Sequence, residues 1–177
     1  VKIQPDLTCL GKALSGGMPL SALIGRRDIF ETSMHQIAYD ATFKSEPYSF
    51  AAALQAISIY QQEDVVTHVW EFGRRLMKGI NELCQQFDIP AQMIGLPIRM
   101  TLAFDQSPDA VFMRTIVQQE LLLEGIVCFR GFIIPSYAHA ETELVQTLDA
   151  FYAAFKQLKA LLNSRKFISH LEIPLVQ

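Results

Sequence analysis

The strongest constraint on this chain is one long apolar stripe. Val66, Val69, Trp70, Leu76, Met77, Ile80, Leu83 and Phe87 recur at helical spacing, which is about six turns of one amphipathic helix. Asp64 stands where a capping residue belongs, and Asp88-Ile89-Pro90 ends the run, because proline cannot continue a helix. A helix of this length with a single apolar face reads as a spine joining two parts of a protein. After it, Ile98, Met100, Leu102 and Phe104 alternate with Arg99, Thr101 and Ala103, the period of a half-buried strand. Ser107-Pro108-Asp109 reads as a helix start and Gly125 as its stop. Residues 126–129 and 132–134 read as short strands separated by Arg130-Gly131. The last helix carries Leu144, Leu148, Phe151, Phe155, Leu158 and Leu162, a core face in spacing. The tail beyond Ser164 has no period.

Ahead of the spine, residues 6–10 read as a short buried strand and residues 20–25 as another, closed by Gly25. Arg26 to Glu31 reads as a short helical turn, and His35 to Pro47 as a loop ending near a helix start. Phe50, Leu54 and Ile57, backed by Ala51, Ala52 and Ala53, suit a closely packed interior helix. Alternating strands and helices imply an α/β fold. The boundary falls near 62–64, giving residues 1–63 and 64–177.

Composition excludes several classes. The chain has 177 residues, half of them hydrophobic, and a net charge of −3 from 15 basic and 18 acidic side chains. It can bury a core, and it shows no basic run for nucleic acid. No apolar stretch approaches the roughly 20 residues needed to span a bilayer. Cys9, Cys84 and Cys128 form no C-x-x-C pair, which argues against a disulfide framework or zinc site and fits reduced thiols in a cytoplasmic enzyme. The four histidines, His35, His68, His139 and His170, have no paired metal-ligand spacing. The first residue is Val1, inside a strand pattern, so the chain reads as a piece of a longer protein.

The segment richest in chemistry is Pro5-Asp6-Leu7-Thr8-Cys9-Leu10-Gly11-Lys12-Ala13-Leu14-Ser15-Gly16-Gly17-Met18-Pro19-Leu20. It mounts a lysine at a strand end, ahead of a glycine-rich turn where backbone can approach a bound group. A desolvated lysine has a lowered pKa and condenses with aldehydes. The phosphate-loop pattern fails at Asp6 and Ala13, and a Ser-x-x-Lys pattern fails at Cys9. Most lysines are solvated surface charges, so spacing alone does not make Lys12 catalytic.

This segment resembles the lysine motif of the class III pyridoxal-phosphate aminotransferases, above all the glutamate-1-semialdehyde aminotransferase branch. The resemblance implies that Lys12 binds the cofactor pyridoxal 5′-phosphate as a Schiff base and then shuttles a proton. A second match is Ala41-Thr42-Phe43-Lys44-Ser45-Glu46-Pro47. In the family the corresponding threonine binds the cofactor phosphate of the neighbouring subunit, which implies that Thr42 is cofactor-binding and the protein a homodimer. Ala41 and Ser45 stand where the family has glycines, and Glu46 resembles branches linked to polysaccharide or amino-sugar metabolism. A third match runs from Gly125 to Phe129 and from Ser136 to Glu143. It marks lineage, and His139 within it reads as a helix-start or packing histidine.

The resemblance implies the C-terminal part of a fold-type I transferase: the end of the large domain over residues 1–63, then the small C-terminal α/β domain over 64–177. It also implies a small-molecule amino donor and an oxo acceptor. The family's ring-nitrogen carboxylate, stacking aromatic and phosphate loop all precede the lysine, so this chain alone is expected to be inactive. Two other readings stay open: a non-catalytic dimerisation remnant, and another pyridoxal-phosphate lysine enzyme such as a decarboxylase or racemase. Arg26, Arg27, Arg99 and Arg130 could grip a carboxylate bidentately, but each reads more simply as a surface or structural pair.

Overall fold

A computed structural model of the chain describes residues 3–33, 35–36, 42, 44, 46–164 and 167–176. They form two compact units, Val1–Val65 and Val66–Gln177.

In the first unit, β1 (Leu7–Leu10) and β2 (Ala22–Gly25) pair antiparallel, with Leu7 opposite Gly25 and Leu10 opposite Ala22. Gly25 is required here, since a Cβ would stand 2.3 Å from the Asp6 carbonyl oxygen. A 3₁₀ turn (Lys12–Leu14) joins the strands, and α1 (Arg27–Ser33) follows them. Next comes α2 (Pro47–Gln62), with proline at its first position and Glu46 as its cap. Glu46 accepts from the Tyr48 and Ser49 amides at 2.8 and 2.7 Å and from the Ser49 hydroxyl. These bonds, the hydroxyl first, hold its carboxyl below the ordinary glutamate range. The strands and α2 lie where the sequence puts them, but their burial differs. Leu7, Leu10, Leu23 and Ile24 are exposed, and so is the whole α2 stripe, with Leu54 70% exposed. Among the described residues of this unit, no element covers that stripe. The buried face of α2 carries Ser49 and Ala53 instead.

The second unit is built on the long helix α3 (Val65–Gln86). Asp88 at φ 49 ends the spine, with the Ile89 amide on the Cys84 carbonyl and the Asp88 amide on that of Gln85, a Schellman ending. β3 (Ala91–Leu96) and β4 (Arg99–Phe104) then form a hairpin. The sequence reading missed β3, because Met93 is its one buried side chain and no alternation shows. In α4 (Ala110–Leu123), Asp109 is the cap residue and makes no side-chain capping bond. Ser107 acts through its carbonyl, which accepts the Ala110 amide at 3.1 Å. Gly125 at φ 80 closes α4 with a second Schellman ending, from Ile126 to Leu121 and from Gly125 to Leu122.

Residues 126–128 are not a strand. The pairing that remains is a bridge from Phe129 to Phe132 and a two-residue β5 (Phe132–Ile133) on β4. Arg130 and Gly131, at φ 52 and 78, make the turn between them. Sheet order is β3-β4-β5. Helix α5 (Glu141–Ser164) packs against α4. Phe151, Phe155 and Leu158 of α5 share a core with Leu76, Ile80, Met100, Leu102 and Ile116.

The tail is structured as well. A short α6 (Phe167–His170) and the residues after it are pinned to α4. The Glu172 amide donates to Gln119 Oε1 at 2.7 Å, and the Val176 amide to Thr115 Oγ1 at 2.9 Å.

Candidate functional site

The β1 strand ends at Leu10, and Gly11 continues extended at φ −173. Lys12 then turns into the left-handed region at φ 50, where a non-glycine residue is strained. Two bonds hold it there: the Leu14 amide to the Gly11 carbonyl at 3.1 Å, and the Ser15 amide to the Lys12 carbonyl at 3.4 Å. Gly16 and Gly17 follow at φ 58 and 108. Among the described residues, apart from each glycine and its chain neighbours, no atom lies within 4 Å of where a Cβ on either would sit. The turn therefore presents bare backbone close in sequence to the amine. In this chain Lys12 is exposed, so desolvation is not a property its own residues supply.

Thr42 is exposed, while Ala41, Phe43 and Ser45 lie outside the described residues. Both candidates fall in the first unit, and no hydrogen bond joins them among the described residues. The helix that follows the Thr42 segment, α2, packs against the 3₁₀ turn that begins at Lys12. Two features here escaped the sequence reading. Ser15 is 1% exposed, and nothing in the local pattern announces that. Glu46 caps α2, and an acceptor side chain directly ahead of Pro47 was the signal for it.

The other candidates have structural roles. Arg26 pairs with Asp6 at 2.9 Å and Asp28 at 2.6 Å, and Arg27 with Glu31 at 3.5 Å. The Arg99 guanidinium lies 4.9 Å from the centre of the Phe132 ring, and that of Arg130 5.3 Å from Phe129. His139 Nδ1 accepts the Ser136 amide at 3.2 Å, and its carbonyl bonds His68 Nε2 at 2.8 Å. Glu143 accepts the Ala140 amide at 2.7 Å and closes the start of α5. His139 and Glu143 border a cleft of about 240 Å³ in the second unit. Among the described residues no group of His, Cys, Asp and Glu could hold a metal, and no helix is long and apolar enough to cross a membrane.

The family described as Aminotransferase class-III matches residues 1–155. The chain belongs to the class III aminotransferases. The enzymes of this family use pyridoxal 5′-phosphate. A glutamate-1-semialdehyde 2,1-aminomutase of Thermomicrobium roseum is 30% identical, over 88% of this chain and 40% of that protein. One from a Sulfurihydrogenibium species is 27% identical over the same shares. This class III chain thus spans about 40% of the length of the curated relatives it matches. Among solved structures, the FumI protein of a Sphingopyxis species, in its pyridoxal-phosphate internal aldimine form, superposes with a TM-score of 0.82 at 23% identity. The match covers 96% of this chain and 39% of that one. An omega-transaminase from Sphaerobacter thermophilus reaches 0.78 at 22% identity, over 88% and 39%. These likenesses establish the fold as part of a fold-type I pyridoxal-phosphate transferase.

The strained, bond-held backbone at Lys12 and the open glycine turn after it fit a cofactor that attaches to a lysine. An amine at a rigid strand end is presented at a defined point, and unobstructed backbone beside it leaves room for a planar ring.

Proposed function

We propose that the protein to which this chain belongs transfers an amino group between an amino compound and an oxo acceptor, as a transaminase or an aminomutase. Pyridoxal phosphate, when bound, supplies the electron sink that makes the bond from Cα to hydrogen labile. Lys12 Nζ holds the cofactor through its aldehyde carbon and, once freed by the substrate amine, carries the proton taken from Cα. A positioned base of this kind contributes on the order of 10²–10⁴-fold. Thr42 donates its hydroxyl to the cofactor phosphate across the interface of a homodimer. Residues 1–63 form the end of the cofactor-binding domain, and residues 64–177 the small domain with its linking helix. Residues 1–177 alone do not turn over, because the family's ring-nitrogen carboxylate and phosphate loop are not among them.

The observation that carries this reading is Lys12 at φ 50 between β1 and the Gly16-Gly17 turn, in a chain that matches the family from residue 1 to 155. The gene-encoded protein, given pyridoxal phosphate, should show a visible band that borohydride fixes onto one peptide containing Lys12. A label mapped to any other lysine overturns the assignment.

A further inference from the structure

Among the described residues ahead of Thr42, Ser15 alone is buried. A hydroxyl held out of water must be satisfied, and this one donates to the Met18 carbonyl. The Met18 amide in turn donates to the Ser15 carbonyl at 3.3 Å. Ser15 and Met18 therefore clasp each other in both directions across Gly16 and Gly17. Those glycines are the softest links of the segment, with positive φ and open space where a side chain would be. On its other side, Ser15 donates its amide to the Lys12 carbonyl. The strained lysine thus depends on a turn whose far end is tied down by one buried hydroxyl, and the turn itself rests on α2.

We propose that Ser15 is a positioning residue for Lys12: its buried hydroxyl closes the turn that holds the Lys12 backbone left-handed, and so fixes where the amine is presented. This rests on the reading of Lys12 as the cofactor's lysine. Removing the hydroxyl leaves the Met18 carbonyl without that bond and lets the glycine turn open. Lys12 then relaxes toward ordinary φ, which moves Nζ away from the cofactor's aldehyde carbon. A misplacement near 1 Å is enough to cost about 10²-fold in a reaction that depends on alignment.

The test uses the gene-encoded protein and three forms of it: wild type, Ser15→Ala and Ser15→Thr, the last keeping the hydroxyl. Amide exchange at Leu14, Ser15 and Met18 should rise about tenfold in Ser15→Ala, as a lost buried hydrogen bond predicts. Exchange in α3 and α5 should not move. Added pyridoxal phosphate, trapped by borohydride over time, should label Lys12 about 10- to 100-fold more slowly. In Ser15→Thr both readouts should return toward wild type. Unchanged exchange and labelling in Ser15→Ala, with the label still on Lys12, overturn the role of Ser15 and leave the proposed function standing. A label on another lysine in wild type overturns the proposed function itself, whatever Ser15→Ala does to the turn.

Discussion

Gly73 of α3 lies against the backbone of Pro97 in the β3–β4 turn, so close that a Cβ added to it would stand 2.1 Å from the Pro97 carbonyl oxygen and 2.6 Å from its carbon. In an unencumbered helix, glycine to alanine stabilises by about 1 kcal/mol. Here the contact is with backbone that cannot swing aside. Gly73→Ala should lower stability by about 1–3 kcal/mol, the usual range for overpacking. Gly79, two turns along, is the control. Its Cβ would meet Leu148 Cδ2 at 2.6 Å, the end of a side chain that can rotate, so Gly79→Ala should change stability by less than about 1 kcal/mol. Urea denaturation of the two variants gives both numbers, and equal effects would refute the distinction.

The tail should be held by α4 through two buried side chains. Thr115 and Gln119 are 0% and 4% exposed, and they accept the Val176 and Glu172 amides. Gln119→Leu removes two part-buried hydrogen bonds, one from the Glu172 amide and one to the His170 carbonyl, at a cost of about 1–3 kcal/mol for the two together. Amide exchange at Glu172 should accelerate at least about tenfold, the equivalent of 1.4 kcal/mol. Thr115→Val should free the Val176 amide and leave Glu172 protected. Identical exchange patterns in the two variants would count against separate pins.

Burial pushes the Cys84 and Cys128 thiols up from 9.0 to about 11. The folded state therefore keeps both protonated at a pH where the unfolded chain has already lost those protons. Their contribution to stability is complete below about pH 9 and falls as the pH rises toward 11. At mildly alkaline pH a maleimide should reach them at the rate of unfolding. Rapid stoichiometric labelling of either in the native protein would contradict the buried assignment.

The Glu46 cap should fail in acid. Its carboxyl is held low by the Ser49 hydroxyl and the two amides, so its contribution is present above the ordinary value of 4.5 and is lost as pH falls through its folded value. Protection of the Tyr48 and Ser49 amides, corrected for intrinsic exchange, should decline below that point. In Glu46→Ala it should be weak at every pH. Protection that survives acid unchanged would show that another group caps α2.

Periodicity by itself determined most of the elements. Met100 and Leu102 in β4, and the Leu144–Phe151–Phe155–Leu158 face of α5, are buried as their spacing requires, because water excludes one face of a half-buried element at the period of that element. The Lys12 motif likewise carried the family, since the lysine and the glycine turn after it are contiguous in sequence. What periodicity states is which residues share a face, and it is silent on what covers that face. The Phe50–Leu54–Ile57 stripe is as regular as the α5 face, yet those residues are 46%, 70% and 42% exposed. Tertiary structure alone decided the rest. The clasp of Ser15 on Met18 follows the backbone direction of one turn, and the fit of Gly73 against Pro97 depends on where a helix meets a hairpin. The pinning of Val176 by Thr115 joins residues 61 positions apart. Bonds of that kind depend on where separate elements come to rest, and no pattern within a single element encodes it.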